Sequence, residues 1–309
     1  MRPRYIFSIN EKKSHHLGNK AEMLGLLAGK KYLVPDAVVC SWDAYTLYGR
    51  DRQVILTDLK KELAPLIRID TSYAIRSSAN LEDEALHSFA GQFSSVLNVQ
   101  GMEATIQAIQ TVWDSVSSTG LETYLAKYGK VPGDIKMAVI IQEMISAKYS
   151  GVAFSKNPMT GLDEIVIEAV QGSGENLMQK GVTPDRWIFK WGDWTSKPDA
   201  SDLSDEIVSR VALQTKSIAK DFGMPVDLEW IYDGTSVYWV QLREITAIND
   251  IDIYSNRIAK EVLPGQIKPL VWSINVPLVN SAWIRLFTEL IGKNDIDPLD
   301  LSKAFYYRA

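Results

Sequence analysis

The sequence predicts an α+β protein, and three observations carry that reading. Apolar residues recur at helical spacing through 102–116. A series of strand-like segments follows with no helix between them. An Asp-Gly turn then joins two alternating strands near residue 234.

Taken in order, residues 18–30 read as a helix with Leu24, Leu27 and Ala28 on one side. LVPDAVVC is a short strand after a proline-marked turn, and SWDAYTLYG opens a helix with Ser41 as its N-cap. SYAIRSSA is a strand ending in the loop ANLEDEALHS, and FSSVLNV is a strand closed by Gly101. Met102, Ile106, Ile109, Trp113 and Val116 predict one long helix over 102–128, which Gly120 interrupts. IKMAVIIQEMI, SGVAFS, EIVIEAV and DRWIFKW are strands, with the loop KNPMTG among them. Residues 202–222 form a helix closed by Gly223.

The hairpin VDLEWIYDGTSVYWVQLREI is the most informative segment. Alternation puts Val226, Leu228 and Trp230 on one face, with Tyr238, Val240 and Leu242 beside them as the core side. A three-residue Asp-Gly-Thr loop would bring those faces together. Asp227 and Glu229 then share the other face with Trp239, Gln241 and Arg243. A carboxylate beside an amide oxygen supplies hard ligands for Mg²⁺, and an arginine next to them holds phosphate oxygens bidentately. A solvated Glu–Arg pair would give the same pattern.

Bulk properties bound the function. The 309 residues suffice for one large or two modest domains, and 46% hydrophobic with 23% charged residues is ordinary for a globular chain. A net charge of −5 argues against nonspecific nucleic-acid binding, although a nucleotide needs only a few cations in one pocket. Cys40 is the only cysteine, so no internal disulfide forms, which fits a reducing cytoplasm. MRPRYIFSINEKK has no apolar signal-peptide core, and the aliphatic run MAVII is far shorter than the ~20 residues of a membrane helix.

Three further segments point the same way. Lys20, just after Gly18 at a helix start, is placed to reach a phosphate, or is a surface lysine. Arg76 leaves a strand end beside Ser77 and Ser78, suited either to an oxyanion or to a salt bridge with the acids at 82–84. Gly172 and Gly174 free the backbone for close approach, though EAVQGSGENL is neither a Walker A loop nor GxGxxG.

The blocks GNKAEMLG, VPDAVVCSWDAY, YAIRSSANLEDEALHSFAGQFSSVLNVQG, MAVIIQEMISAKYSGVAFSKNPMTG, IVIEAVQGSGE, GVTPD and VDLEWIYDGTSVYWVQLREIT, over roughly 17–247, form an ordered set. Together they resemble the N-terminal nucleotide-binding domain of the phosphoenolpyruvate synthase and pyruvate phosphate dikinase family, which includes the rifampin phosphotransferases. The resemblance implies an ATP-grasp-type α+β fold of two subdomains, expected at 1–110 and 111–247, clamping ATP and Mg²⁺. It implies that Lys20 and Arg76 bind phosphates, that Glu229 and Gln241 hold Mg²⁺, and that Arg243 holds the transferring phosphates. Gln142 lies in the strand that runs close to the adenine. Arg76 and Arg243 are the expected catalytic pair.

In such enzymes ATP phosphorylates a histidine on a separate swivelling domain and leaves as AMP. The acceptor pattern TxGGxxxH is absent, and His87 in HSFAGQ does not match it. The partner expected is therefore a phosphohistidine domain supplied by a missing C-terminal region or another chain. KEVLPGQIKPLVWSINVPL, within 248–309, resembles the start of the central domain in the rifampin-phosphotransferase-like branch, so the chain reads as an N-terminal piece of a longer enzyme or as a truncated gene product. Gly120 stands where the family carries an arginine, which leaves a non-catalytic nucleotide-binding module as the alternative. A carboxylate–amine ligase would need an acceptor site within this chain.

Overall fold

The structure, a computed structural model, describes residues 3–11, 16–80, 83–84, 87–88, 93–117, 131–173, 183–246 and 248, with isolated helical positions between 268 and 289. Gly120 and Gly174 lie outside the described residues, and at His87 only the backbone is described.

The elements give the expected α+β class. Five strands build the first sheet: β1 (Ile6–Ser8), β2 (Ala37–Cys40), β3 (Ser72–Ala79), β6 (Ser95–Gln100) and β7 (Met137–Glu143). They run β1-β2-β7-β3-β6, antiparallel throughout. A two-stranded ribbon joins β4 (Asp83–Glu84) to β5 (His87–Ser88). Six strands build the second sheet: β8 (Tyr149–Phe154), β9 (Ile165–Gln171), β10 (Asp185–Lys190), β11 (Asp193–Ser196), β12 (Val226–Tyr232) and β13 (Val237–Glu244). Their order is β11-β10-β9-β8-β12-β13. β7 falls in the segment expected to form the second subdomain, yet it is the middle strand of the first sheet. The chain crosses back after the long helix to pair with both β2 and β3.

Helices cover the faces that alternation leaves apolar. α2 (Trp42–Tyr48), α3 (Arg52–Leu63) and α4 (Met102–Asp114) pack on one face of the first sheet. Ile55, Leu59, Leu63, Ile109 and Trp113 meet Ile75, Val139 and Ile141 there. The sequence reading missed α3, although Asp51 caps it by accepting from the Val54 N–H at 3.2 Å. α4 ends at Asp114 in a single 3₁₀ turn over Ser115–Ser117, and residues 118–128 of the expected helix lie outside the described residues. Trp113 Nε1 donates to the Met137 carbonyl at 3.1 Å, which fixes the end of α4 to β7.

α1 (Asn19–Gly29) lies on the opposite face of that sheet and also packs on β13. Its buried residues Ala21, Leu24 and Leu27 join Ala138 and Ile140 of β7 in a second core. That core continues through Leu228, Trp230, Trp239 and Leu242 to α5 (Asp205–Phe222). α5 closes as expected on Gly223, at φ +68 in the left-handed region. Ser41 sits at the N-cap of α2, but its hydroxyl makes no capping bond.

Contacts divide the chain into Met1–Asn249 and Asp250–Ala309. Within the second unit, Leu270, Ile274, Leu278 and Leu286 are exposed helical positions. Among the described residues no helix is long and apolar enough to cross a membrane.

Candidate functional site

The hairpin of β12 and β13 departs from the expected geometry in an instructive way. The turn holds four residues, Asp233 to Ser236, and a bulge at Val240 supplies the odd residue. Before the bulge Val237 and Trp239 face the core, and after it Leu242 does. Trp239 is therefore a core residue, fully buried, and not part of the polar face. The bulge shifts the alternation by one, so Gln241 and Arg243 still reach the face that carries Asp227 and Glu229. Glu229 is the register partner of Gln241, and Asp227 of Arg243.

Arg76 comes to the same place from the other sheet. It is mid-strand in β3, not at a strand end. Ser77 and Ser78 continue the pairing with β7 as far as Ala79. Its Nη2 donates to Glu229 Oε2 at 2.9 Å and to Gln241 Oε1 at 2.5 Å, while Nη1 donates to the carbonyl of the bulged Val240 at 3.1 Å. The Arg76 and Glu229 side chains are 17% and 28% exposed. Of the alternatives read from AIRSSA, the ion pair Arg76 makes among the described residues is thus with Glu229 of the distant hairpin.

Ser78 has a structural role. Gly18 holds φ +76, and its backbone lies so close to Ser78 that an added Cβ would sit 2.6 Å from both the carbonyl carbon and Oγ. Ser78 Oγ accepts from the Ala21 N–H at 3.1 Å, standing in for the capping side chain that α1 lacks. This contact presses the first turn of α1, and with it Lys20, onto β3.

Charges in the cluster are paired. Arg243 Nε donates to Asp227 Oδ2 at 2.6 Å, with Asp227 nearly buried. Burial pushes the Asp227 carboxyl above its ordinary range against the pull of Arg243. Burial also acts to raise Glu229. Arg76, its hydrogen bond, Lys20 and Arg243 outweigh that and hold Glu229 below the usual carboxylate range. Lys20 is therefore within electrostatic reach of Glu229. Gln142 is buried at 3% exposure on the same face of the first sheet, two register positions from Arg76. Its Nε2 makes no hydrogen bond among the described residues.

Lys20, Arg76, Glu229, Gln241 and Arg243 are thus brought together, with Gln142 beside them. The sequence reading placed Asp227 on this face but did not count it in the site. Its pairing with Arg243 follows from the hairpin register. The Val240 carbonyl was not anticipated: the phase mismatch of the two strands calls for one odd residue, and the sequence reading put it in the turn and not in a bulge. A separate cavity of about 430 Å³ lies between the α5 C-terminus and the β10–β11 turn, lined in part by Lys156, Glu164, Lys190 and Lys216, and holds none of these residues.

The donor set suits a hard cation completed by other oxygens. One carboxylate and one amide carbonyl face each other across the ladder. Among the described residues there is no cluster of three or more His, Cys, Asp or Glu side chains that would hold a metal unaided. Mg²⁺ commonly takes one or two protein carboxylates and fills its shell with phosphate oxygens and water.

Residues 51–194 match the family described as pyruvate phosphate dikinase, AMP/ATP-binding domain. Over that segment the chain is similar to the AMP/ATP-binding domain of that family. Arg76 and Gln142 fall inside the matched segment, while Lys20, Glu229, Gln241 and Arg243 flank it.

A probable phosphoenolpyruvate synthase of Archaeoglobus fulgidus is 31% identical over 221 residues, 63% of this chain and 29% of that protein. A similarly described protein of Methanothermobacter thermautotrophicus is 30% identical over 241 residues, 69% of this chain and 35% of its own length. The uncharacterized phosphotransferase YvkC of Bacillus subtilis is 28% identical over 290 residues, 79% of this chain and 35% of that protein. The match thus spans about a third or less of each of these relatives.

Proposed function

We propose that this chain binds Mg–ATP between its two sheets, in an ATP-grasp-type clamp. In this reading it passes a phosphoryl group to a histidine on a phosphohistidine domain outside these residues and releases AMP. The observation that carries the reading is the convergence of Lys20, Arg76 and Arg243 on Glu229 and Gln241 from three separate parts of the chain.

In this reading Glu229 and Gln241 hold the metal, which offsets phosphate charge when bound. Arg243, steered at Nε by Asp227, turns the outer edge of its guanidinium to the phosphates. Lys20 adds a point charge at the start of α1, where helical N–H groups also favour an anion. The Gln142 amide nitrogen donates to the nucleobase. No base is needed within the chain, since catalysis of phosphoryl transfer rests on positioning and charge.

The test is calorimetric titration of the chain with Mg–ATP beside Glu229→Ala and Arg243→Ala. Saturable binding that each substitution weakens about tenfold or more supports the site, the loss of one charge-assisted contact being worth ~1.5–3 kcal/mol. A folded chain that binds no nucleotide refutes it. With a phosphohistidine domain added, AMP is the product expected, and ADP would overturn the transfer step.

A further inference from the structure

The nucleotide site has one feature that its phosphate-binding role does not require. Arg76 Nη2 sits between Glu229 Oε2 and Gln241 Oε1, the two oxygens assigned to the metal. A second guanidinium nitrogen is held by the Val240 carbonyl, which the bulge turns toward it. A guanidinium lodged between the two ligand oxygens takes the space a metal ion held by both would need, and the two cations would repel at that distance.

We infer that Arg76 is a resident cation at the metal position, so the site takes the metal–nucleotide complex as a unit and largely excludes the free divalent ion. This rests on the nucleotide reading above and deepens it. A free divalent ion would have to expel Arg76 with nothing to receive it. The displaced guanidinium would lose three hydrogen bonds in a half-buried position. When a nucleotide enters with the metal, its phosphates accept the guanidinium, and the ion takes over Glu229 and Gln241. The exchange moves a cation from carboxylate to phosphate, with no bond made or broken covalently.

Charge balance supports the exchange. The described cluster holds Lys20, Arg76 and Arg243 against Asp227 and Glu229, a formal excess of one positive charge. Adding a bare divalent ion would raise that to three. Adding it with a nucleotide triphosphate brings in more negative than positive charge. Arg243 is not the competitor, since its Nε is bound to Asp227, two register pairs away from Glu229 and Gln241.

The experiment uses Mn²⁺ as a paramagnetic probe of the full chain, read by electron paramagnetic resonance with and without a non-hydrolysable ATP analogue. Wild type should bind Mn²⁺ alone weakly and bind it at least about tenfold tighter with the analogue present. Arg76→Met should bind Mn²⁺ alone at least about tenfold tighter than wild type, since a charge-assisted competitor is gone. The analogue should then add little. Arg76→Met/Glu229→Gln should return Mn²⁺ affinity to the wild-type level or below.

Arg76→Lys keeps the inference open to refutation should the methionine variant not fold. Its ammonium does not span Glu229, Gln241 and the Val240 carbonyl together, so free Mn²⁺ should bind it about threefold or more tighter than wild type. Equal affinity of wild type and a folded Arg76 variant for Mn²⁺ alone overturns the inference. That failure is distinct from failure of the nucleotide reading, which would show as a flat Mg–ATP titration of wild type whatever Mn²⁺ does.

Discussion

Replacing Gly18 with alanine should do more damage than any other single methyl group added to α1. Gly18 holds φ +76 and ψ 161, a region that residues with a Cβ scarcely enter, at a cost of ~1–3 kcal/mol. The new Cβ would sit 2.6 Å from the carbonyl carbon of Ser78, where carbon contacts are comfortable only at ~3.5 Å. The first turn of α1 must then lift by roughly 1 Å, since β3 is locked between two neighbours. That movement breaks the buried bond from the Ala21 N–H to Ser78 Oγ, leaving unpaired groups worth ~1–3 kcal/mol. The sum is about 2–6 kcal/mol, which lowers Tm by roughly 10 °C in a domain of this size. Gly29→Ala is the matched control on the same helix. An added Cβ there meets nothing within 4 Å, so the helix gains ~0.5–1 kcal/mol. Thermal unfolding followed by circular dichroism should move the two variants in opposite directions. A Gly18→Ala protein melting within about 2 °C of wild type would refute the packing argument. Because α1 also carries Lys20, Mg–ATP affinity measured below the transition should drop by about tenfold.

Two further outcomes follow from titratable groups away from the site. Burial, with Glu62 nearby, pushes the Cys40 thiol far above its ordinary range, so a disulfide reagent should label it only as fast as the chain unfolds. Rapid labelling of native protein would contradict its place in the core. Burial and the hydrogen bond to Asp221 raise the Tyr32 hydroxyl to about 12. The unfolded tyrosine ionises near 10, so above that pH the unfolded state binds fewer protons and stability falls until the folded group ionises too. Tyr32→Phe should flatten the alkaline stability curve between about pH 10 and 12, measured by urea midpoints, and an unchanged slope would show that the hydroxyl does not drive it.

Much of this fold was legible because strand and helix periods differ and the breakers sit where they should. SYAIRSSA forms β3 over its full length, and Gly223 caps α5 as its spacing implies. α3 was missed because in DRQVILTDLKKEL the buried residues Ile55, Leu59 and Leu63 are mixed with apolar Val54 and Leu56 and with polar and charged residues, which blurs the period, and its clearest signal is the Asp51 cap. β7 was found as a strand, but its place in the middle of the first sheet was not, since local pattern carries no information about a distant partner. Arg76 was read as leaving a strand end because arginine is rarely tolerated on a packed face. The hairpin residues that neutralise it lie 153 and 165 positions further along the chain. Gln142 was identified through resemblance alone, and its unpaired amide emerges only from burial.

The Val240 bulge joins the fold to the site. A four-residue turn alone would leave the two strands of the hairpin out of phase, with either Trp239 or Leu242 facing the wrong way. The bulge resolves the conflict in the middle of β13, so the same strand buries a tryptophan on one side of the defect and presents Gln241 and Arg243 on the other. A bulged residue also leaves a backbone carbonyl without a ladder partner, and here Arg76 from the opposite sheet takes it. The irregularity that the hydrophobic pattern requires therefore provides the third anchor for the arginine that spans the two sheets. A residue inserted in the turn could restore the phase equally well. It would place no carbonyl between the sheets, and Arg76 would then be held by Glu229 and Gln241 alone.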